Sequence, residues 1–350
     1  MIKHSIRHCT RASYSQSRRP WRRYFLDPLP RSEPSKRRPL LSCCASSPRF
    51  STSLTTPYDS KVDELDATTD SFLEHFRRDY YSAQKPVVLK NLVRHYPAVA
   101  KWQDLQYLEG AVGQDVPCDV EMGGPYNTSF EQDEGDDDAA KKLTVPFESY
   151  IAYLELWKEE YGELDEQEDL KEDTNNLPTE QLLYMAQNDF HGFGDQISRD
   201  IEIPSFCTDG TCGEGHLYNT NFWIGPRGCV SPMHYDPLDN ILMQLVGRKR
   251  VTLLSTTIPN EGSGGNEEHE IDSKTVLYVG DDHGQQYNTS SIDIEKPHSI
   301  DTDKYPLFNQ AIPHFKTALL HPGDALFIPS KYWHHVRSLT LSMSLNAWWR

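Results

Sequence analysis

The stretch "FWIGPRGCVSPMHYDPLDNILMQLVGRKRVTLLS" (residues 222–255) indicates the fold class of this chain. Short apolar and β-branched runs alternate in it with turns rich in Gly, Pro and Asp, such as "VGRK", and this alternation is typical of strands joined by tight turns. The same pattern continues in "KTALLHPGDALFIP" and "WHHVRSLTLSMSLNAWW". Residues 200–350 are therefore predicted to form an antiparallel barrel or sandwich, within a chain that is mainly β with flanking helices.

Residues 59–199 are predicted to form a helical and α/β part in front of these strands. Apolar residues recur at helical spacing in two segments, and valine-rich runs indicate strands in two others: helices in 68–83 and 149–164, strands in 85–92 and 116–123. Two acidic insertions follow, residues 131–142, which have no apolar anchor, and residues 163–175, a polar connector. The first also lacks the ligand spacing of a calcium loop, so both are predicted to be solvated connections.

Charge is distributed unevenly along the chain. Residues 1–58 carry 12 Lys/Arg and two acids, a net of +10, whereas the remaining residues carry 23 Lys/Arg and 50 acids, a net of −27. A tail rich in Arg and Ser resembles an organellar transit peptide, with the mitochondrion expected before the plastid; a disordered basic extension is the alternative. The acidic remainder disfavours nucleic acid and would attract basic partners, although a merely solvated surface fits equally well.

Several classes of protein are disfavoured by what the sequence lacks. The cysteines number seven and have no repeating spacing, which indicates reduced thiols rather than a disulfide framework. No run approaches the ~18 apolar residues of a membrane span. No phosphate-binding loop, dinucleotide fingerprint or nucleophile elbow is present.

A candidate metal site begins in "SPMHYDPLDN" (231–240), where His234 and Asp236 stand two residues apart. Residues at this spacing point to the same side of an extended segment, so both can bind one ion. A distant strand can supply a third ligand, and His334 and His335 begin one; only one of them can face inward. Two His and one carboxylate form the facial triad of non-haem Fe(II) oxygenases. An isolated H-x-D is common by chance, and ordinary loop chemistry is the alternative.

The two segments 222–255 and 321–349 together resemble the JmjC-domain, cupin-like 2-oxoglutarate oxygenases. They look closest to the arginyl-hydroxylase branch, which has also been described as lysine demethylases and reported as peptidases. The resemblance extends over about residues 70–350 and excludes the basic tail and the acidic insertions. It implies a double-stranded β-helix, a jelly-roll of the cupin type, with Fe(II) at its mouth and an N-terminal α/β elaboration.

Residue by residue, the resemblance implies metal ligands at His234, Asp236 and His334. It also implies contacts to 2-oxoglutarate: Lys249 to the distal carboxylate, Asn240 and Tyr184 as its polar partners, Ser231 in the same pocket, and Trp223 and Trp348 as aromatic neighbours. Each has an ordinary alternative: a surface lysine in a hairpin, helix core for Tyr184, turn residues, or tryptophan packing. Two departures concern the substrate cleft, Asn346 where this branch usually has a small Ser, and Tyr235 between the ligands.

The activity implied is hydroxylation of a protein side chain, arginine above all, with Fe(II), 2-oxoglutarate and O2 consumed to give succinate and CO2. The partner would be a basic, arginine-containing protein. Three alternatives remain at this point: a JmjC-like binding module without catalysis, a zinc-dependent peptidase acting on basic tails, and a demethylase.

Overall fold

The computed structural model describes residues 58, 60–122, 141–161, 181–259, 270–277 and 288–350. The acidic insertion at 163–175 lies outside these residues, as does the expected targeting tail except for its last residue, Tyr58. The other insertion lies outside them except for its last two residues, Lys141 and Lys142, which already belong to a strand. No helix in the described ranges is both long and apolar enough to cross a membrane.

The strands are short and are concentrated in the C-terminal half, as the turn pattern predicts. They are β1 Ser60–Lys61, β2 Asp63–Asp66, β3 Val87–Lys90, β4 Pro117–Met122, β5 Lys141–Pro146, β6 Leu183–Asp189, β7 Leu217–Gly225, β8 Val230–His234, β9 Asp239–Val246, β10 Lys249–Leu254, β11 Thr257–Pro259, β12 Glu270–Asp272, β13 Lys316–Leu320, β14 Ala325–Ile328, β15 Trp333–Ser338 and β16 Ser342–Trp349.

The α-helices are α1 Phe72–His75, α2 Pro97–Lys101, α3 Leu105–Val112, α4 Phe147–Tyr161, α5 Asp195–Ser198, α6 Ser273–Leu277 and α7 Phe308–Ala311. A π-helical segment, Phe76–Tyr81, continues α1, and single 3₁₀ turns occupy Phe190–Phe193, Ser205–Cys207, Pro297–Ser299 and Ile312–His314. The predicted helices in 68–83 and 149–164 are thus present.

Eight of the strands form a double-stranded β-helix. The order β14-β9-β16-β7 lies within a nine-stranded sheet, the major sheet, and β13-β10-β15-β8 lies within a five-stranded sheet, the minor sheet. The chain crosses from one sheet to the other at every connection in this set except that between β10 and β13, which are neighbours in the minor sheet. This confirms the expected jelly-roll of the cupin type.

The two sheets enclose an apolar core, and further residues cover the outer face of the major sheet. Val251 and Val336 from the minor sheet pack in one buried cluster with Leu242 and Leu326 from the major sheet. On the outer side, Phe76 contacts Phe327 edge-on, with ring centroids 5.3 Å apart. Because both faces of the major sheet are covered at β9, this interior strand is buried at every position, in keeping with the five apolar residues among its eight.

The segment after residue 287 completes the minor sheet beside β8. Tyr235 N donates to Asn288 O at 3.0 Å and Ser290 N donates to Met233 O at 2.7 Å. Further along, Glu295 accepts from Arg250 of β10 and Arg337 of β15. This carboxylate is largely enclosed, and the two guanidinium groups hold the segment against the outer side of the sheet.

The turn between β9 and β10 requires glycine at one position. Gly247 has φ +67°, and a Cβ there would overlap the Leu341 carbonyl and the Thr340 hydroxyl. Both the backbone conformation and the close approach therefore disfavour any side chain.

We expect Gly247→Ala to lower the free energy of unfolding by roughly 2–4 kcal/mol, through left-handed backbone strain and overpacking. Urea unfolding followed by circular dichroism measures the change. Gly110→Ala is the matched control, because that glycine lies within α3 and a Cβ there meets nothing within 4 Å. It should be neutral or stabilising by up to about 1 kcal/mol. Equal stability of the two variants would contradict the assignment.

Candidate metal centre

Three predicted ligands converge at the end of the barrel where β8 and β15 pair. His234 is directly opposite His334 in the register of these strands, and Asp236 follows His234 by two residues. One ligand atom from each residue lies within 4.8 Å of the other two. No other group of three or more His, Cys, Asp or Glu side chains meets this criterion in the part of the chain that the structure describes.

Backbone carbonyls fix the orientation of both imidazoles. His234 Nδ1 lies 2.7 Å from Pro232 O, and His334 Nδ1 lies 2.9 Å from Tyr332 O. A carbonyl oxygen only accepts, so each Nδ1 must carry the hydrogen, and each Nε2 is left with a free lone pair. Burial, with nearby His234, lowers the pKa of His334. The neutral imidazole, which is the form that binds metals, is therefore favoured.

The Asp236 carboxylate is also oriented by a hydrogen bond from a neighbouring strand. Trp348 Nε1 donates to Asp236 Oδ2 at 3.2 Å, and His334 Nε2 lies 3.6 Å from the same oxygen. Trp348 stands on the inward face of β16, so the jelly-roll itself orients this ligand. His335 is turned to the other face of β15, towards the side of Glu295, as strand alternation predicts. Tyr235 packs edge-on against Trp333, with ring centroids 4.9 Å apart.

This donor set fits Fe(II). Two neutral imidazoles and one carboxylate on adjoining strands occupy one side of an ion and leave positions open, which is the arrangement of non-haem iron oxygenases. A closed structural zinc site would need a fourth protein ligand. The described residues place none beside these three.

Lys249, the predicted contact of the distal carboxylate, lies deep between the sheets. Its side chain is 1% exposed, and its Nζ donates to Ser344 Oγ at 2.6 Å and approaches the Tyr184 hydroxyl at 3.5 Å. No acidic side chain within the described ranges pairs with it. Burial lowers its pKa to about 7, because an enclosed ammonium without a counter-charge is costly.

Four hydroxyl-bearing residues on neighbouring strands, two of them in contact with this ammonium, form with it what we call the lysine site: Lys249, Tyr184, Ser231, Ser338 and Ser344. Tyr184 lies in β6, not in a helix, and its hydroxyl lies beside the side chain of Ser231. Ser338 is opposite Lys249 in register, and its buried Oγ has no hydrogen-bond partner among the described residues. Buried polar atoms normally have partners, so the lysine site is suited to a bound polar anion.

The predicted residues Asn240 and Trp223 belong to a set of hydrogen-bonded side chains that we call the amide network: the buried Asn346, Asn240 and Asn221, and the partly buried Trp223. Asn346 Oδ1 accepts from Trp223 Nε1 at 2.7 Å and from Asn221 Nδ2 at 3.3 Å. Asn346 Nδ2 donates to Asn240 Oδ1 at 3.1 Å. The Trp223 ring also lies 5.9 Å from that of Tyr184, between centroids, which joins the network to the lysine site.

Sequence reasoning placed Trp348 of β16 near the site but missed the support that Ser344 and Asn346 of the same strand provide. Every second residue of this strand points inward, and three of these inward residues each hydrogen-bond a residue of the predicted site. Ser344 contacts Lys249, Asn346 contacts Asn240, and Trp348 contacts Asp236. The intervening residues Met343, Leu345, Ala347 and Trp349 are fully buried against the outer layer. The period-two placement of Ser and Asn in an otherwise apolar strand was the available signal.

A jelly-roll barrel that holds two histidines and a carboxylate at one end is a metalloprotein fold of the cupin type. Residues 73–350 match the family model described as "Cupin-like domain", which places the chain within that class. The chain belongs to this cupin-like domain family and is related to its JmjC members.

The relatives support the same assignment. Lysine-specific demethylase 8 of Xenopus tropicalis is 33% identical over 79% of this chain and 51% of its own length. Lysine-specific demethylase JMJ30 of Arabidopsis thaliana is 32% identical over 79% and 52%, and Jumonji C domain-containing protein 5 of Drosophila melanogaster is 31% identical over 82% and 59%. The chain spans about half the length of the curated relatives that it matches.

We expect Trp348→Phe to weaken metal binding by about 10- to 100-fold, because the substitution removes the hydrogen bond that orients the Asp236 carboxylate. Titration calorimetry with Mn(II), a redox-stable probe for a divalent ion, measures the loss.

The matched control is Trp349→Phe on the opposite face of the same strand, whose indole donates to Cys212 O at 2.9 Å. It should leave Mn(II) affinity unchanged even if it lowers stability. Equal affinities of both variants and the unsubstituted protein would show that Trp348 does not support the ligand.

Proposed function

We propose that this chain is an Fe(II)- and 2-oxoglutarate-dependent oxygenase that hydroxylates a protein side chain. The observation that carries the proposal is the lysine site, in which a buried ammonium has no acidic partner among the described residues. Ser344 of β16 contacts this ammonium, and Trp348 of the same strand orients the metal ligand Asp236. A dicarboxylate can bind the ion at one end and the ammonium at the other. Bound together, Fe(II) and 2-oxoglutarate supply the oxidation of a C–H bond by O2, with succinate and CO2 released.

The residues of this chain would hold the cosubstrate in a fixed orientation. Lys249 would form a charge-assisted hydrogen bond with its distal carboxylate, and the hydroxyls of Tyr184, Ser231 and Ser338 would supply further donors. Burial of the site excludes water from that contact, which strengthens it. His234, Asp236 and His334 would hold the metal, and their backbone and indole partners would keep them in place.

The substrate is proposed to be a basic protein, with arginine as the favoured residue. The resemblance to the arginyl-hydroxylase branch supports arginine, and the net charge of −27 on residues 59–350 favours a basic partner. Two of the relatives cited above carry the name lysine-specific demethylase, so oxidation of an N-methyl group is the second candidate at the same site. Mitochondrial targeting by residues 1–58 remains a prediction from composition alone.

The proposed activity predicts succinate formation when the metal-loaded protein is incubated with Fe(II), 2-oxoglutarate and arginine-containing basic peptides. Mass spectrometry distinguishes the products, since hydroxylation adds one oxygen atom and demethylation removes one methyl group. His234→Ala should abolish turnover. Full activity in His234→Ala, or no succinate from the unsubstituted protein with any such peptide, would disprove the proposal. Peptide cleavage without 2-oxoglutarate would instead favour hydrolysis.

The binding of 2-oxoglutarate should weaken as the pH rises above about 7, by up to about tenfold per pH unit, because the free lysine site loses its positive charge as Lys249 deprotonates. A pKa of about 7 for Lys249 sets where the loss begins. Affinity for 2-oxoglutarate, measured by calorimetry with Mn(II) present, gives the profile.

Lys249→Arg is the control, since arginine stays charged throughout this pH range. Its affinity should be nearly independent of pH, whatever its absolute value. The same decline in Lys249→Arg would show that a group other than Lys249 is responsible.

A further inference from the structure

A buried asparagine beside an anion has to present the correct end of its amide. The two ends are nearly equal in size, but Nδ2 donates two hydrogen bonds whereas Oδ1 only accepts. A carboxylate is attracted by the donor and repelled by the acceptor. Asn240, the predicted partner of the cosubstrate carboxylate, is 5% exposed. Its amide must therefore direct Nδ2, not Oδ1, towards that carboxylate.

The orientation of the Asn240 amide follows from the Trp223 indole, whose hydrogen-bonding role is fixed. The indole Nε1 of Trp223 can only donate, so the Asn346 atom 2.7 Å from it must be the oxygen. Asn346 therefore directs its Nδ2 towards Asn240, 3.1 Å away, and the atom of Asn240 that receives it must be Oδ1.

A second donor supports the same orientation. Asn221 Nδ2 lies 3.3 Å from Asn346 Oδ1, and Asn221 Oδ1 accepts from Asn219 Nδ2 at 2.8 Å. Each amide in the sequence Asn219, Asn221, Asn346 and Asn240 thus has its donor and acceptor ends assigned without conflict. With Oδ1 engaged, Asn240 keeps Nδ2 for a ligand.

The position of Asn346 places this effect at the proposed site. It lies on the inward face of β16 between Ser344, which contacts Lys249, and Trp348, which contacts Asp236. Asn240 is directly opposite Trp348 in the register of β9 and β16. The amide network therefore lies between the lysine site and the metal triad.

We propose that Asn346 is a positioning residue for the cosubstrate: its Nδ2 occupies the Asn240 acceptor and thereby turns the Asn240 donor towards the bound carboxylate. This inference rests on the proposed function, because 2-oxoglutarate is the ligand in question. It assigns a role to the position where the chain departs from the small Ser of the resembled branch.

The test is Asn346→Asp, which keeps the shape of the side chain and both acceptor contacts but removes the N–H that Asn240 receives. Three N–H groups around the new carboxylate would favour its ionised form. Asn240 would then rotate to donate to it and would present Oδ1 to the ligand. We expect the Kd for 2-oxoglutarate to rise about 10- to 100-fold, as for loss of a hydrogen bond to a charged group.

A double-mutant cycle with Asn240→Ala separates this effect from direct charge repulsion. If Asn346 acts through Asn240, adding Asn346→Asp to Asn240→Ala should change the Kd by less than about twofold. A full penalty in the Asn240→Ala background would overturn the inference. In turnover, the KM for 2-oxoglutarate should rise with Kd while kcat at saturation changes by less than about threefold.

Asn346→Ser provides an uncharged second variant that leaves the Asn240 amide free to rotate, and it should raise the Kd about 3- to 10-fold. Thermal unfolding verifies that each variant is folded. An unchanged Kd in both folded variants would overturn the inference. If the unsubstituted protein binds no 2-oxoglutarate, the proposed function fails instead.

The network itself has a readout that needs no cosubstrate. In the metal-free protein labelled with ¹⁵N-tryptophan, the indole N–H resonance of Trp223, assigned through Trp223→Phe, should move upfield in Asn346→Ala as its hydrogen bond is lost. An unmoved resonance would show that the amide network does not form in solution.

Discussion

The ammonium group of Lys249 is enclosed between two sheets, and its neighbours among the described residues are hydroxyl groups, not a carboxylate. An unpaired buried charge is among the costliest arrangements in a protein interior, and the lowered pKa of the lysine reflects that cost. The surrounding strands accommodate it by turning polar residues inward from both sheets: Tyr184 and Ser344 from the major sheet, and Ser231 and Ser338 from the minor sheet. An anionic ligand would compensate this charge, and its binding would then also stabilise the surrounding structure.

The inward face of β16 sets the spacing between the lysine site and the metal triad. Residues two apart on a strand are separated by about 6.6–6.8 Å, so Ser344, Asn346 and Trp348 form a row of fixed spacing. Each holds a side chain from a different strand or loop. The metal end and the lysine end of the site are therefore kept at a set distance by one strand, whose other face is anchored by fully buried apolar residues.

The sequence predicted those parts of the molecule that depend on local pattern or on a long motif. Turn residues located the strands of the barrel, and the H-x-D pair with His334 located the triad that the structure brings together. It did not predict the hydroxyl of Ser344 beside Lys249, since that contact joins strands nearly a hundred residues apart and depends on register. The π-helical continuation of α1 was also unforeseen, because π-helical turns are rare and the spacing of Phe72, Phe76 and Tyr80 predicts an ordinary α-helix. Asn346 was noticed only as an unusual residue, because the orientation of an amide depends on neighbours from two other strands.

The backbone of residues 288–290 runs beside β8 and takes up the hydrogen-bonding groups of Met233 and Tyr235. That edge of the minor sheet, the one nearest the metal ligands, is consequently closed to strand addition, the common mode by which sheets capture extended peptides. A polypeptide approaching the ion must be held by side chains around the barrel mouth instead of by main-chain pairing at Met233–Tyr235. The same coverage removes an exposed strand edge that would otherwise favour association between copies of the chain.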